Sequence, residues 1–415
     1  MENIGIIYNK AITNVKLEDI LNEAKKIKYK LCDACLGRQF AKIERGISNK
    51  ERGRRLRKFL RIEEISNHCW LCKGLIDEIE KFAELVIETL KEYEFNTFLV
   101  GCKIDDEILK KEKEIENEYS ESIKREINRE VGKIVSKKLN KPADFQNPDI
   151  VAIINTMYDF VELQIKPIFI YGRYRKLKRG IPQTKWYCRK CYGRGCYYCN
   201  FKGKMYEESV EELIAKKFLE AFDAKDEKFH GAGREDIDVL MLGNGRPFIL
   251  ELIEPRKRNI KLEKLQQLIN EYAKGKVEVN NLKYVDRKEI EKLKSEKYAK
   301  VYKAVIKFKE KGKIEEAVEK LRGRIISQRT PKRVAHRRAD KIRKRKIIDI
   351  KIEELKMNEA VLTIEAEAGT YIKELITGDN GRTKPSLSEL AETNISVEKL
   401  DVIYIGGENE EVERI

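Results

Sequence analysis

Eight of the nine cysteines in this 415-residue chain fall into pairs of the form C-x-x-C: Cys32/Cys35, Cys69/Cys72, Cys188/Cys191 and Cys196/Cys199. A C-x-x-C turn puts two thiolates on one side of a tight knuckle, and two knuckles complete a tetrahedral zinc site. The first two pairs are separated by 33 residues that include the basic, helix-like run Lys50–Leu60, and each is followed closely by a glycine, Gly37 and Gly74. The last two pairs, four residues apart, read as one compact double knuckle. A redox C-x-x-C, an iron–sulfur cluster, degenerate remnants, or pairing exchanged between the two sets are the other readings of this spacing. Four thiolates leave no open coordination position, so a metal held here builds structure rather than reacts. Cys102, in the apolar run Thr97–Cys102, reads as a buried strand residue; His68 is a substitute ligand beside Cys69, and His230 reads as incidental.

A second constellation is Gly231-Ala232-Gly233-Arg234-Glu235-Asp236-Ile237-Asp238-Val239. A carboxylate at the mouth of a strand, behind glycines that let another backbone approach closely, suits a nucleophile or a general base. An Asp beside Gly also suits an ordinary turn. No G-x-G-x-x-G follows a strand and no Walker-type loop occurs. Chemistry that uses dinucleotides, ATP or S-adenosylmethionine therefore lacks its usual loop, and no organic cofactor is expected.

The chain carries 87 Lys+Arg against 71 Asp+Glu, a formal net charge of +16. From Arg324 to Lys346 lie eleven basic residues and one acid, Asp340, for a local +10. From Tyr171 to Lys185 lie six basic residues (Arg173, Arg175, Lys176, Lys178, Arg179, Lys185) and no acid, so the two stretches equal the whole excess. A solvated face mixes signs, as Glu107–Lys138 does; one-sided stretches carrying Gly, Pro, Tyr and Gln suit a surface that grips phosphates. A nucleic-acid partner is expected, against the blander readings of an anionic membrane or plain solubility. No run of about 18 apolar residues is present to span a membrane, and Met1-Glu2-Asn3-Ile4 does not open a signal peptide. The expectation is a cytoplasmic protein without membrane contact, its cysteines reduced and free for metal.

Positioning these groups takes several parts, since a chain of this length forms two or three domains at about 100–200 residues each. Residues 1–75 read as short helices around the first cysteine set. A helix over Leu75–Tyr93, a strand over Asn96–Cys102, a long charged helix to about Asn140, and strands over Ile150–Asn155, Phe160–Lys166 and Ile168–Tyr171 give residues 76–185 an α/β order. The second cysteine set occupies 186–204 as knuckle and linker. In 205–415, Ser209 and Glu212 form a capping box, and Val210, Leu213, Ile214, Phe218 and Phe222 mark one face of a helix that ends near Asp223. Strands over Asp238–Leu242 and Pro247–Ile253 are joined by an Asn244-Gly245 hairpin signal, and others follow over Val301–Phe308, Ile347–Glu353 and Ala360–Ala366. Helices mixed with hairpin-linked strands predict an α+β fold with a mainly antiparallel, mixed sheet.

Specific segments then resemble known families. Asp144-Phe145-Gln146-Asn147-Pro148-Asp149-Ile150, before a strand, resembles the THUMP domain, an RNA-binding module of RNA-modifying enzymes. Ala232–Val239, followed by Met241-Leu242-Gly243-Asn244-Gly245-Arg246-Pro247-Phe248, resembles the active-site motif of pseudouridine synthases, and most of all the archaeal and eukaryotic tRNA pseudouridine synthase family Pus Ten. Lys300-Val301-Tyr302-Lys303-Ala304 resembles that family's K-x-Y-x-A strand, and Gly369-Thr370-Tyr371-Ile372-Lys373-Glu374-Leu375 its G-T-Y-I-[KR]-x-L segment. Gln328–Asp340 is similar to its RNA-gripping loop. With the N-terminal knuckles and the THUMP-like region in the same order, the resemblance covers nearly the whole chain. Leu240 departs from it, standing where family members often have Arg.

The resemblance implies a zinc-knuckle and THUMP-like accessory region attached to a pseudouridine synthase catalytic domain. It makes Asp236 the nucleophile toward a flipped-out uridine, by covalent attack or by assisting a glycal-forming elimination. Tyr302 would stack on the extruded base and join in proton transfer, and Lys373 would pair with Asp236 and favour its charged form. Arg234, Tyr371 and Leu375 would contact the flipped nucleotide, Leu375 as pocket lining, while Arg329, Lys332, Arg333, Arg337 and Arg338 would grip RNA. Asp238 and Glu235 read as non-catalytic, one of them turned outward by strand alternation. The implied partner is tRNA, at the TΨC arm, with uridine 55 and also 54 as targets; the implied cofactor is structural zinc, and the expected state is a monomer. Uridine and pseudouridine are isomers, so the conversion needs neither redox partner nor energy source, in keeping with the missing cofactor loops. The rival from another class is a non-catalytic zinc-containing RNA-binding protein of translation or ribosome assembly. It would need the cysteines and the charge but not Asp236, Tyr302 and Lys373 together.

Overall fold

In the computed structural model the described residues are 17–43, 46–61, 69–311 and 313–406. His68 lies outside them, as does the side chain of Arg337. The chain divides into two compact units, 1–166 and 167–415.

The first unit opens with three helices, α1 (Leu17–Lys26), α2 (Asp33–Arg38) and α3 (Asn49–Leu60). The basic run expected between the first two cysteine pairs is α3, and it does not stand in solvent throughout. Arg52 and Arg57 are buried, and Arg57 Nε donates to Asp33 Oδ1 at 2.7 Å. Helices α2 and α3 touch backbone to backbone: a Cβ added at Gly37 would lie 1.9 Å from the Asn49 carbonyl oxygen. That is why a glycine follows Cys35-Leu36. Next come α4 (Ile79–Leu90), β1 (Phe98–Lys103), α5 (Asp106–Ile115), α6 (Ile123–Leu139), β2 (Ile150–Asn155) and β3 (Phe160–Ile165). Strands β1 and β2 are parallel and β3 is antiparallel to β2. Phe82, Ala83, Val86 and Leu90 of α4 and Ile127, Val131 and Val135 of α6 recur at helical spacing and are buried in one core with Val100, Ala152 and Ile154. The single long charged helix of the sequence reading is two helices. Asn117 and Ser120 turn the chain, and Ser122 restarts it by accepting from the Arg125 amide at 3.3 Å.

The second unit begins one strand earlier than the sequence boundary at 185. Strand β4 (Ile168–Lys176) belongs to its sheet, antiparallel to β6 and β7. Its remaining elements are α7 (Val210–Phe222), β5 (Asp226–Gly231), β6 (Leu240–Ile253), α8 (Leu262–Tyr272), β7 (Val277–Val285), α9 (Lys288–Ser295), β8 (Lys300–Phe308), α10 (Ile314–Leu321), β9 (Ile325–Arg329), β10 (Ile342–Leu355), β11 (Glu359–Ala366), α11 (Ile372–Thr377), β12 (Thr383–Lys384), α12 (Leu387–Leu390) and β13 (Ile395–Ile405). The sheet runs β12-β9-β10-β11-β8-β13-β6-β4-β7, with β5 also on β6. Among the described strands of this sheet, only the β13–β6 pair is parallel, so the fold is α+β with a mainly antiparallel mixed sheet. On α7 the predicted face, Val210, Leu213, Ile214, Phe218 and Phe222, is fully in the core, and burying a Phe of this kind contributes about 1.5–3 kcal/mol. Ser209 Oγ accepts from the Glu212 amide at 3.1 Å. The expected Asn244-Gly245 hairpin does not form, because β6 runs straight through it. The Asn244 amide group donates to the Ile405 carbonyl at 2.8 Å and its Oδ1 accepts from the Ile405 N–H at 3.1 Å, so this side chain pairs with β13.

Candidate active site and metal centres

The cysteines sort into two sets, Cys32, Cys35, Cys69, Cys72 and Cys188, Cys191, Cys196, Cys199, with all sulfurs of a set within 4.8 Å of one another. Sequence pairing between neighbours therefore holds, with no exchange between sets. A tetrahedron of sulfurs about 2.3 Å from a metal has edges of about 3.8 Å. The measured separations include 3.8 Å for Cys32–Cys72, Cys188–Cys196 and Cys191–Cys199, and 3.7 Å for Cys196–Cys199. Amides point at the sulfurs as a thiolate requires: Gly195 N–H to Cys191 Sγ and Gly203 N–H to Cys199 Sγ, both at 3.2 Å. Each set fits a four-thiolate metal ion. Cys102 stands apart from both, half-buried on β1.

A cavity of about 650 Å³ in the second unit is lined by Asp236, Arg234, Tyr302, Arg333, Arg338, Tyr371 and Lys373, among others. The loop bearing Asp236 follows β5, and its position is set from beneath. Lys176 Nζ donates to the carbonyls of Asp236 and Ile237 at 3.0 and 3.2 Å, and Arg179 Nη1 to that of Asp238 at 2.7 Å. Glu235 turns inward, where its carboxylate meets Arg246 Nε at 2.8 Å and the Tyr174 hydroxyl at 2.8 Å. Arg246 also donates to the Ala232 carbonyl at 2.8 Å, and Gln183 joins Tyr174 to the Gly233 carbonyl. Gly233 has φ +80°, and an added Cβ would press on Arg246 Nη1 at 3.2 Å and Lys300 Nζ at 3.3 Å, so glycine is what lets both cations close on the loop. Glu235 thus ties the loop down, while Asp238 faces outward.

This frame corrects the reading of Tyr171–Lys185 as a phosphate grip. Arg173 and Lys176 are buried; Arg173 donates to the carbonyls of Asn244 and Ile405, both at 2.9 Å. Arg175 pairs with Glu278, and Arg179 with Asp401 at 2.6 Å. Two of the three cations on β4, Arg173 and Lys176, are buried in this way, and carbonyls and Glu235 take up their charge. Burial pulls the Lys176 ammonium below the ordinary Lys value, the nearby Glu235 opposing it.

Above the loop the geometry also differs from expectation in one contact. Arg333 Nη1 makes the direct ion pair with Asp236, at 2.8 Å. Lys373 also pairs with Asp236, at 3.6 Å, and bonds more closely to both oxygens of Asp238, at 2.6 and 2.9 Å. Burial alone would raise the Asp238 carboxyl, but the hydrogen bond and charge of Lys373 outweigh it and lower the group. Arg333 is itself oriented by buried Glu374, at 2.6 Å. Tyr302, on β8, is buried in the cavity wall, and burial pushes its hydroxyl up to about 12. Tyr371 accepts from Arg338 at 3.1 Å through its hydroxyl, and Arg234 stacks its guanidinium 5.1 Å from the Trp186 ring. Arg329 pairs with Asp340 at 2.6 Å, and Lys332 with Arg329 lines a separate depression over β9. Leu375 is fully buried in the core and absent from the cavity lining, since a helix that turns Lys373 to the cavity turns residue 375 away. Sequence reasoning passed over Arg246, Lys300, Glu374 and Arg345 in or under the cavity; the only signal for them was their place within the quoted motifs and the second basic stretch.

A family model described as Pus10, C-terminal, matches residues 169–406. The chain belongs to the Pus10 family. A model for the archaeal Pus10 THUMP domain matches residues 82–155, inside the first unit. The curated relatives carry the name tRNA pseudouridine synthase Pus10, a kind of isomerase. That of Methanocaldococcus jannaschii is 45% identical over 97% of this chain and 98% of its own length. Those of Methanothrix thermoacetophila (41%, 91% and 92%) and Pyrococcus furiosus (40%, 93% and 98%) are similar over comparable spans. A solved Cbf5-Nop10-Gar1 complex is similar at 16% identity and a TM-score of 0.30, over 57% of this chain and 49% of that one, too slight a likeness to carry an argument. The Pus10 matches place the THUMP region before residue 167 and the C-terminal model from β4 onward, in line with the two units. No described helix is long and apolar enough to cross a membrane.

Proposed function

We propose that this chain isomerises uridine to pseudouridine in the TΨC arm of tRNA, at position 55 and also at 54, as a cytoplasmic monomer, with zinc in both four-cysteine sites. Family membership supports tRNA as the substrate; the two positions rest on the resemblance of the motifs. The observation that carries the reading is the placement of Asp236 in the wall of a cavity large enough for a nucleotide, ion-paired to Arg333 and facing the room that Tyr302 closes. A uridine reaches such a cavity only when flipped out of its stack.

Asp236 acts at the ribose of that nucleotide. The C1′–N1 bond breaks, the uracil stays in the cavity and turns, and a C1′–C5 bond forms. N1 gains a proton and C5 loses one, so atoms and electrons balance without cofactor. Tyr302 stacks on the base and keeps it from escaping, and its hydroxyl, raised by burial, exchanges the proton. Arg333 and Lys373 orient the carboxylate; Arg234, Tyr371 and Arg338 contact the flipped nucleotide and its phosphates. Arg329 and Lys332, with the rest of the exposed loop, hold the neighbouring backbone. In both metal sites zinc would fix the knuckle and take no part in the reaction.

Mapping pseudouridine in unmodified tRNA incubated with the protein tests class and position together. Product at 55, with or without 54, is expected. Asp236→Asn should bind tRNA and form none; product from that variant would take the nucleophile's role from Asp236, and none from the parent would return the chain to the RNA-binding class without catalysis.

A further inference from the structure

The double knuckle around Cys188, Cys191, Cys196 and Cys199 turns its sulfurs inward and its rings outward. Tyr187, Tyr192, Tyr197, Tyr198 and Phe201 are between 56% and 87% exposed. Large rings gathered this densely at a surface mark an interaction site. Tyr192 and Phe201 are presented from left-handed backbone, at φ 52° and 61°, an uncommon conformation for a bulky residue, which Asn or Gly would adopt more readily. The charge is one-sided as well: 186–204 holds five cations (Arg189, Lys190, Arg194, Lys202, Lys204) and no acid. Arg189, Lys190 and Arg194 are exposed, Lys190 lies over the Tyr198 ring at 4.6 Å, and Lys202 meets Glu207 at 2.9 Å. The knuckle adjoins the catalytic mouth, because Trp186 at its base lines a depression with Arg234, Asp236 and Lys373.

We propose that this knuckle is a second grip on RNA, its rings stacking on unpaired bases and its cations holding the phosphates between them. Rings interleaved with cations of one sign fit a strand whose base faces are free, whereas a duplex hides those faces. The partner is an unpaired stretch of the same RNA whose uridine enters the Asp236 cavity. The proposal deepens the RNA reading above and rests on it for the partner's class.

The test is binding of the full-length protein to a fluorescent 12-nucleotide oligouridylate and to a 12-base-pair RNA duplex, across a salt series. The single strand should bind more tightly. Tyr192→Ser/Tyr197→Ser/Phe201→Ser should lose at least about tenfold in single-strand affinity, at an unchanged salt slope, since stacking on a base is worth about 5–150-fold each. Arg189→Gln/Arg194→Gln should lower the slope by about 1.4, near 0.7 per phosphate contact on a single strand. Because serine could disturb the knuckle, Tyr192→Phe/Tyr197→Phe is measured beside it. Stacking needs the ring and not the hydroxyl, so full affinity is expected. A drop matching the serine variant, or no drop in the serine variant, overturns the proposal. So does concentration-dependent self-association that the serine variant abolishes, which would make the patch a protein-binding face. The readout is binding and needs no turnover, so a failure of the catalytic reading leaves this test standing.

Discussion

The cations of Tyr171–Lys185 and those of Arg324–Lys346 look alike as sequence and do opposite work. In the first stretch Arg173 and Lys176 are buried and Arg175 and Arg179 are paired to carboxylates. In the second, Arg324, Arg329, Lys332, Arg338, Lys341, Lys344 and Lys346 are exposed. A charge in water attracts phosphates over roughly a Debye length, while a buried one must find partners on the spot. Lys176 and Arg179 find them in the carbonyls of the Asp236 loop, and Lys176 also in Glu235, so these two build the floor of the cavity. The second roofs it, and among its described side chains Arg333 reaches down to Asp236.

The sharpest way to break this comparison is to remove the acid under the floor. Glu235→Ala would leave Arg246 and Lys176 buried without their counter-charge, and taking one partner from a buried set costs about 3–5 kcal/mol. Urea unfolding should show that loss, while Lys344→Ala in the roof should stay within about 0.5 kcal/mol. Equal losses would erase the distinction between the stretches.

Arg333 tests the one point where roof and floor meet. Arg333→Ala should lower kcat by about 10²-fold through misorientation of Asp236, and should also lower the urea midpoint, because it takes a partner from the buried Glu374 carboxylate. A rise in KM at constant kcat would put Arg333 among the phosphate-gripping cations instead. Arg333→Lys should not restore the rate, because one ammonium does not span Glu374 and Asp236 as the forked guanidinium does.

The alternation of apolar residues made the helix Val210–Phe222 and the strands around Tyr302 and Ile364 legible, and the C-x-x-C spacing made both metal sites legible, because each depends on residues close in sequence. Which cation faces inward depends on the sheet that β4 joins, and β4 pairs with β6 and β7, more than 60 residues away. Composition could not show that. Asp236 and the nearby Lys373 were legible through their motifs; the nearer cation, Arg333, was not, since Arg333 and Lys373 lie on different elements and compete for two carboxylates, Asp236 and Asp238, two residues apart.

A smaller effect follows from Lys300 beside the floor. Burial, then the charge of Arg246, pulls this ammonium from 10.5 down to about 8, with Glu235 opposing. Between those two values the unfolded chain holds a proton that the folded one has released, so stability rises with pH across this window. Below about pH 8 the folded state carries the charge as well, and the contribution levels off. Lys300→Met should remove that rise, seen as a difference between parent and variant urea midpoints from pH 7.5 to 10.5. Parallel curves would mean that Lys300 titrates normally and lies outside the buried set.

The smallest expected change is the most direct on the two stretches themselves. Affinity for tRNA should fall with salt at a slope of about 0.7–0.9 per phosphate neutralised, so Lys341→Ala or Lys344→Ala should each reduce the slope by nearly one unit. Arg173→Met should leave the slope as it is, since a buried guanidinium bonded to carbonyls releases no counterion when RNA binds. Lys178 decides between position in the chain and position in the fold. It belongs to the first stretch by sequence and is exposed, so a slope unchanged by Lys178→Ala would mean that the first stretch as a whole faces away from the RNA. A slope lowered as much as by Lys344→Ala would mean that exposure alone, residue by residue, separates the cations that grip from those that support.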